Sequence, residues 1–215
     1  IEANTRFVFD DPVSSLDLDY EESVVARLAT LAKTRQVIVF THRLSLLALL
    51  EEALEAVGLK AQVVAVNREA WGSGQPGDTP FPARRPPQLL NGLVDAVAQA
   101  RKVLNDKGTA DYEIHAKAIC GGTRILVERL VEDTLLNEVV RRFRRSVQTY
   151  GRIGVLAKIE PADCKLIDDM MTKYSRYEHS QPQEAPVALP GPDEITADLV
   201  ILQAWLKAFK DRAVP

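Results

Sequence analysis

Phe7-Val8-Phe9-Asp10-Asp11-Pro12-Val13-Ser14-Ser15-Leu16-Asp17 sets the architecture expected for the first third of the chain. Aromatic and β-branched residues suit a pleated, buried surface, so residues 6–9 predict a strand, and Asp11-Pro12 stops it in a turn. Beyond the turn, Val24, Val25, Leu28 and Leu31 recur at helical spacing and predict a helix over 19–33. Val37-Ile38-Val39-Phe40 is a second buried strand. A Leu/Ala/Glu-rich helix follows over 44–57, with Gly58 as a residue suited to end it. Residues 61–66 predict a third strand. Strand–helix–strand–helix–strand implies a parallel sheet joined by right-handed crossovers.

The character changes after that. Gly72, Gly74 and Gly77, with Pro76, Pro80, Pro82, Pro86 and Pro87, predict a linker or insertion loop over 67–88. Helices are expected over 89–105, 111–150, 161–176 and 193–209. Pro161 and Pro192 stand where a helix start tolerates proline. The expected organisation is therefore an α/β unit over 1–66, a linker over 67–88 and an α-helical domain over 89–215. Ile1 stands just ahead of a strand pattern, which predicts that the sequence is cut from a longer polypeptide.

The 215 residues carry 27 Lys and Arg against 30 Asp and Glu, for a net charge of −3. That balance argues against a uniformly basic nucleic-acid binder while allowing a local basic patch. With 46% apolar and 27% charged residues the composition is globular. Cys120 and Cys164 form no CxxC pair, which points to a reducing compartment and away from a zinc site. No apolar run reaches the roughly 18 residues of a membrane span, so a cytoplasmic location is expected.

A buried strand ending in two acids can place a carboxylate beside Mg²⁺, as P-loop folds do. In that arrangement Asp10 holds the metal through water and Asp11 orients or deprotonates the attacking water. Taken alone, the pair is equally consistent with an ordinary Asp-Pro turn. The longer match is more specific. Asp10-Asp11-Pro12-Val13-Ser14-Ser15-Leu16-Asp17 resembles the Walker B and D-loop of ABC-type ATPases. Gln36-Val37-Ile38-Val39-Phe40-Thr41-His42 resembles the following strand with its switch histidine. The resemblance implies an ABC-head P-loop subdomain, ATP and Mg²⁺ as cofactors, Asp17 in the loop that meets a partner lobe, and His42 as sensor of the γ-phosphate. Most of the family carries Glu where this chain has Asp11. No GxxxxGK[ST] and no LSGGQ-like signature occurs in the 215 residues. The resemblance therefore implies an N-terminal ATPase lobe, in the same or another chain, as a partner, and a homodimer formed through the D-loop.

In the helical part, Arg124-Ile125-Leu126-Val127-Glu128, then Arg142-Phe143, then Met170-Met171-Thr172-Lys173-Tyr174-Ser175-Arg176-Tyr177-Glu178-His179-Ser180 resembles bacterial ABC/SMC-like ATPases related to the anticodon nucleases PrrC and RloC. The resemblance implies a HEPN-like, metal-independent ribonuclease acting on tRNA or another RNA, with Arg124, Glu128 and His179 as its catalytic set. The chemistry is suitable: Glu and His divide the proton transfers and Arg grips the phosphate. Arg124 and Glu128, four apart, are equally an ordinary helix-surface ion pair. His115 is a reserve candidate. Arg141, Arg142, Arg144 and Arg145 form either a solvated face or a phosphate-contact patch, and Trp71 in the Gly/Pro loop either packs locally or stacks on a base.

These resemblances together imply an ATP-gated bacterial defence ribonuclease. The alternative is an SMC/RecF-like ATPase lobe of DNA repair or chromosome maintenance, whose helical domain only binds a partner.

Overall fold

The structure, a computed structural model, describes residues 5–13, 17–77, 79, 83–142, 147–177 and 188–215. The chain is mostly helical with two small sheets, one parallel and one antiparallel. It forms two compact units, Ile1–Thr79 with Arg142–Arg145, and Pro80–Arg141 with Ser146–Pro215.

The first unit begins with β1 (Phe7–Asp10), α1 (Leu18–Ala32), β2 (Val37–Phe40) and α2 (Leu44–Ala56). β1 and β2 pair in parallel, from Phe7 opposite Val37 to Asp10 opposite Phe40. Side chains alternate across a strand, so the two strands sort their residues by face. Phe7, Phe9, Val37 and Val39 are half-buried, whereas Val8, Ile38 and Phe40 are exposed. A core of Val13, Val25, Leu46 and Leu49 forms with Val39 packed against it. Val25, Leu28 and Ala29 give α1 its buried stripe. Gly58 closes α2 at φ 76°, and the Leu59 N–H reaches back to the Leu54 carbonyl at 2.8 Å.

The expected third parallel strand over 61–66 does not form. β3 (Ala65–Glu69) instead pairs antiparallel with β4 (Gly72–Gly77) as a separate two-stranded sheet. Much of 67–88, expected to be irregular, is thus hairpin, and the next helix already begins at Pro86. Gly72 and Gly74 take φ values of 147° and 81°, which side-chain-bearing residues rarely adopt. The glycines that argue against a flat strand permit this bent ladder, with its register shift between Asn67 and Arg68.

The second unit contains α3 (Pro86–Lys107), α4 (Thr109–Arg129), α5 (Pro161–Ser175) and α6 (Pro192–Asp211). Three of these helices start on proline, whose missing N–H costs nothing in a first turn. Gly108, at φ 90°, is the one-residue joint between α3 and α4. Leu89, Leu93 and Val97 of α3, Ala116, Ile119 and Leu126 of α4, Ile167 and Tyr174 of α5, and Leu199 and Leu202 of α6 share one core. Polar clamps tie α5 to α6. The Tyr174 hydroxyl donates to Asp198 Oδ2 at 2.7 Å, and Lys173 Nζ reaches the same oxygen at 2.6 Å. At the other end, Trp205 Nε1 donates to Asp163 Oδ1 at 2.8 Å and Arg212 Nη1 to Asp163 Oδ2 at 2.6 Å.

The single helix expected over 111–150 ends early. α4 runs into a π-helical turn over Leu130–Leu135, after which Asn137 and Glu138 take φ 45° and 54°. Two arginines hold that break. Arg85 Nη1 lies 2.5 Å from Glu138 Oε1, and Arg152 Nη1 lies 2.9 Å from Glu138 Oε2. A short 3₁₀ turn, Ile153–Lys158, then leads into α5. Among the described residues no helix is long and apolar enough to cross a membrane.

Candidate functional site

Parallel pairing delivers the ends of β1 and β2 to the same edge of their sheet. The ladder extends one residue past Asp10, with the Asp11 N–H donating to the Phe40 carbonyl at 2.8 Å. Asp11 is thereby level with Thr41, and its backbone turns into the left-handed region at φ 41°. For a residue other than glycine this is an uncommon and strained conformation, of a kind concentrated at functional sites.

Both Asp11 oxygens are engaged. Thr41 Oγ1 donates to Oδ1 at 2.9 Å, and His42 Nδ1 stands 3.1 Å from Oδ2. The Thr41 hydroxyl accepts the Arg43 N–H at 3.1 Å, so its own proton is directed to Asp11. A carboxylate has about four lone-pair positions, so two engaged contacts leave acceptor capacity on Asp11. The His42 side chain is 84% exposed and Asp11 is 15% exposed, giving an anchored acid beside an open imidazole.

The remaining residues of this edge divide into ligand and support. Asp10, the last residue of β1, is exposed. Asp17 is exposed at the start of α1, where its carbonyl accepts the Tyr20 and Glu21 N–H groups at 2.9 and 3.1 Å. Ser14, Ser15 and Leu16 lie outside the described residues. Beneath the edge, Arg43 Nη1 lies 2.6 Å from Glu21 Oε1 and donates to the Val13 carbonyl at 3.2 Å. Glu21 is 1% exposed, and its second oxygen has no hydrogen-bond partner. This ion pair joins the turn after β1, helix α1 and the turn after β2. Sequence reasoning missed both partners, although Glu21 falls on the α1 stripe four residues before Val25, where an acid needs a buried cation.

Among the described residues no group of three His, Cys, Asp or Glu side chains is disposed to hold a metal. Asp10, a single exposed carboxylate, fits a hydrated Mg²⁺ carried on phosphate, which needs only one or two protein oxygens.

In the helical unit, Arg124 Nη2 and Glu128 Oε1 are 3.1 Å apart on one face of α4. His179, the third member of the expected nuclease set, lies outside the described residues. His115 is exposed on α4 nine residues before Arg124, which at 3.6 residues per turn puts it on the opposite side of the helix. Of the arginine cluster, Arg141 is buried rather than on a solvated face, Arg142 is exposed, and Arg144 and Arg145 lie outside the described residues. Trp71, exposed by 76%, sits in the turn between β3 and β4.

No protein-family model matches this chain, and no curated protein and no solved structure shows significant similarity to it.

Proposed function

We propose that the first unit is the hydrolysis half of an ABC-type ATPase site, completed by a phosphate-gripping lobe outside these 215 residues. One observation carries this reading: the parallel register of β1 and β2 brings Asp11, Thr41 and His42 into contact at one sheet edge, with Asp10 exposed beside them. Mg²⁺ bound with ATP would neutralise charge on the phosphates. Asp10 would hold that ion through its bound water. Asp11, fixed by Thr41 and the imidazole, orients a water molecule and takes its proton. His42 turns its other ring nitrogen outward, where it reads a terminal phosphate. The open apolar face of the sheet, Val8, Ile38 and Phe40, supports the need for further structure, because parallel sheets are ordinarily covered on both faces. Asp17 stands where a second copy would be met in a D-loop homodimer.

In the helical unit Arg124 pairs with Glu128, and His179 lies outside the described residues. The SMC/RecF-like alternative shares the ATPase half and differs only in the task of the helices.

The test is ATP hydrolysis by the intact polypeptide that contains this sequence, comparing it with its Asp11→Asn and His42→Ala variants. Loss of a positioned proton acceptor lowers turnover by a factor on the order of 10² or more, with nucleotide binding retained. Equal turnover by all three proteins would refute the assignment. Incubation with bulk tRNA, with His179→Ala as control, separates the two readings of the helical unit.

A further inference from the structure

The ion pair beneath the sheet edge bears on the chemistry above it. Arg43 stands at the N-cap of α2, and both of its backbone groups are committed there. Its N–H donates to Thr41 Oγ1 at 3.1 Å, and its carbonyl accepts the Leu47 N–H at 3.2 Å. Leu46 and Leu49 anchor α2 in the core that contains Val13 and Val25. The guanidinium therefore extends from a fixed platform. Its Nη1 carries two protons and meets two acceptors, Glu21 Oε1 at 2.6 Å and the Val13 carbonyl at 3.2 Å. One side chain thus ties the beginning of α1 to the turn that follows β1.

The turn it grips is the strained one. Asp11 takes φ 41°, a conformation that a residue with a side chain keeps only where its surroundings over-determine it. On one flank, the Asp11 N–H is held by the Phe40 carbonyl at 2.8 Å. On the other, Pro12 fixes its own φ, and Val13 is held twice: its side chain is fully buried and its carbonyl is bonded to Arg43. Without the guanidinium, the Val13 side chain still packs but its carbonyl is released. The chain between β1 and Val13 then regains freedom to rotate, and Asp11 relaxes toward an ordinary backbone region. Its carboxylate contacts, 2.9 Å to Thr41 and 3.1 Å to His42, tolerate little displacement.

On the ATPase reading, which this assignment presupposes, we propose that Arg43 is a positioning residue for hydrolysis. Through the Val13 carbonyl it holds the Asp11 carboxylate where that group meets the attacking water. Its effect on rate is separable from its effect on stability. Pairing with Glu21 keeps a buried acid neutralised, a purpose that a neutral pair at 21 and 43 serves as well. Only the bond to Val13 orients the acid. Because the triphosphate is gripped by the lobe outside these residues, loss of Arg43 acts on kcat rather than on KM.

The experiment measures ATP hydrolysis and melting temperature for the intact polypeptide that contains this sequence and for its Asp11→Asn, Arg43→Ala and Arg43→Ala/Glu21→Gln variants. The double variant removes the guanidinium without stranding a buried charge, so the comparison survives even if Arg43→Ala fails to fold. It is expected to melt close to the parent, with kcat lowered at least about tenfold and KM little changed. In the 215-residue chain, the Cα, Cβ and carboxyl carbon shifts of Asp11 report its backbone conformation and its contacts, and they should move in the double variant. Turnover that recovers together with stability, while Asp11→Asn is inactive, would overturn the proposal and leave the ATPase reading standing. A raised KM with kcat unchanged would do the same. An Asp11→Asn protein as active as the parent would refute the ATPase reading itself, and with it any part for Arg43 in hydrolysis. Asp11 shifts that stay unchanged in the double variant would overturn the positioning role whatever the turnover.

Discussion

Replacing Tyr174 by Phe removes one oxygen atom from the centre of the α5–α6 contact and almost nothing else. Tyr174 is fully buried, so its ring volume is conserved and no cavity opens. The hydroxyl donates to Asp198 at 2.7 Å, and that carboxylate is itself buried. A hydrogen bond to a charged acceptor contributes about 1.5–3 kcal/mol. Because Lys173 still reaches Asp198 in the variant, a cost of about 2 kcal/mol is expected at neutral pH. For a unit of this size that corresponds to a fall of roughly 6–10 °C in melting temperature. Urea titration followed by far-UV circular dichroism measures the free-energy difference, and an unchanged slope would show that the unfolded state is unaltered. The dependence on pH gives a second check with a definite sign. Burial, reinforced by the bond to Asp198, drives the Tyr174 phenol far above its ordinary value. Above pH 10 the unfolded chain therefore releases a proton that the folded chain keeps, and stability falls as pH rises. Phenylalanine has no such proton, so the gap between the two proteins should narrow by about 1.4 kcal/mol on reaching pH 11. A variant as stable as the parent at pH 7, or a gap that stays constant from pH 8 to 11, would refute the reasoning.

Arg43→Ala leaves Glu21 buried without its cation and should destabilise the first unit by about 3 kcal/mol; addition of Glu21→Gln should recover most of that. Hydrogen exchange of the β1 and β2 amides reads the effect, and no recovery in the double variant would contradict it. Cys120 is buried, and burial pushes its thiol up to about 12, whereas Cys164 is exposed. Ellman's reagent at pH 8 should therefore modify one thiol in the native chain and the second only on unfolding; two fast equivalents would contradict this. For Asp163, burial alone would raise the carboxyl, but hydrogen bonds from Arg212, the Glu160 N–H and Trp205 outweigh it and hold the group below the usual range. That stabilisation is complete above the unfolded value of about 3.9 and is lost as pH falls through the lower folded value. Melting temperature between pH 2 and 5 should fall more steeply for the parent than for Asp163→Asn, and parallel curves would exclude the linkage.

Where local pattern and tertiary demand agree, the elements were legible. β2 has four consecutive β-branched or aromatic residues and forms over that run, and α5 and α6 start on the prolines that predicted their starts. β4 was illegible because Gly72–Gly77 has almost no side chains to reveal a period, its ladder depending on glycine dihedrals. The end of α4 was hidden for the opposite reason. Leu135, Leu136, Val139 and Val140 continue a helical rhythm, but Glu138 is held in a left-handed conformation by Arg85, which is 53 residues away in sequence. Tertiary ion pairing there overrides local propensity. The contacts of Asp11, Thr41 and His42 follow from two strand ends being adjacent, and the sequence order of the strands made that expectation possible. No spacing rule links Arg85 to Asp133 or Arg43 to Glu21, so both pairs emerge only from the folded chain.

The π-helical turn after Arg129 has a consequence for how this protein tolerates changes in length. A wide turn of this kind accommodates one residue more than an α-helical path of the same span. Deleting one residue between Leu130 and Leu135 would let an α-helical turn cover the same span with the downstream phase kept, whereas a deletion within the regular turns of α4 would swing everything beyond it by about 100° and shift it by about 1.5 Å. Only that second deletion would carry Glu138 away from Arg85 and Arg152. The bulge therefore acts as slack of one residue, a tolerance that the regular turns of α4 lack.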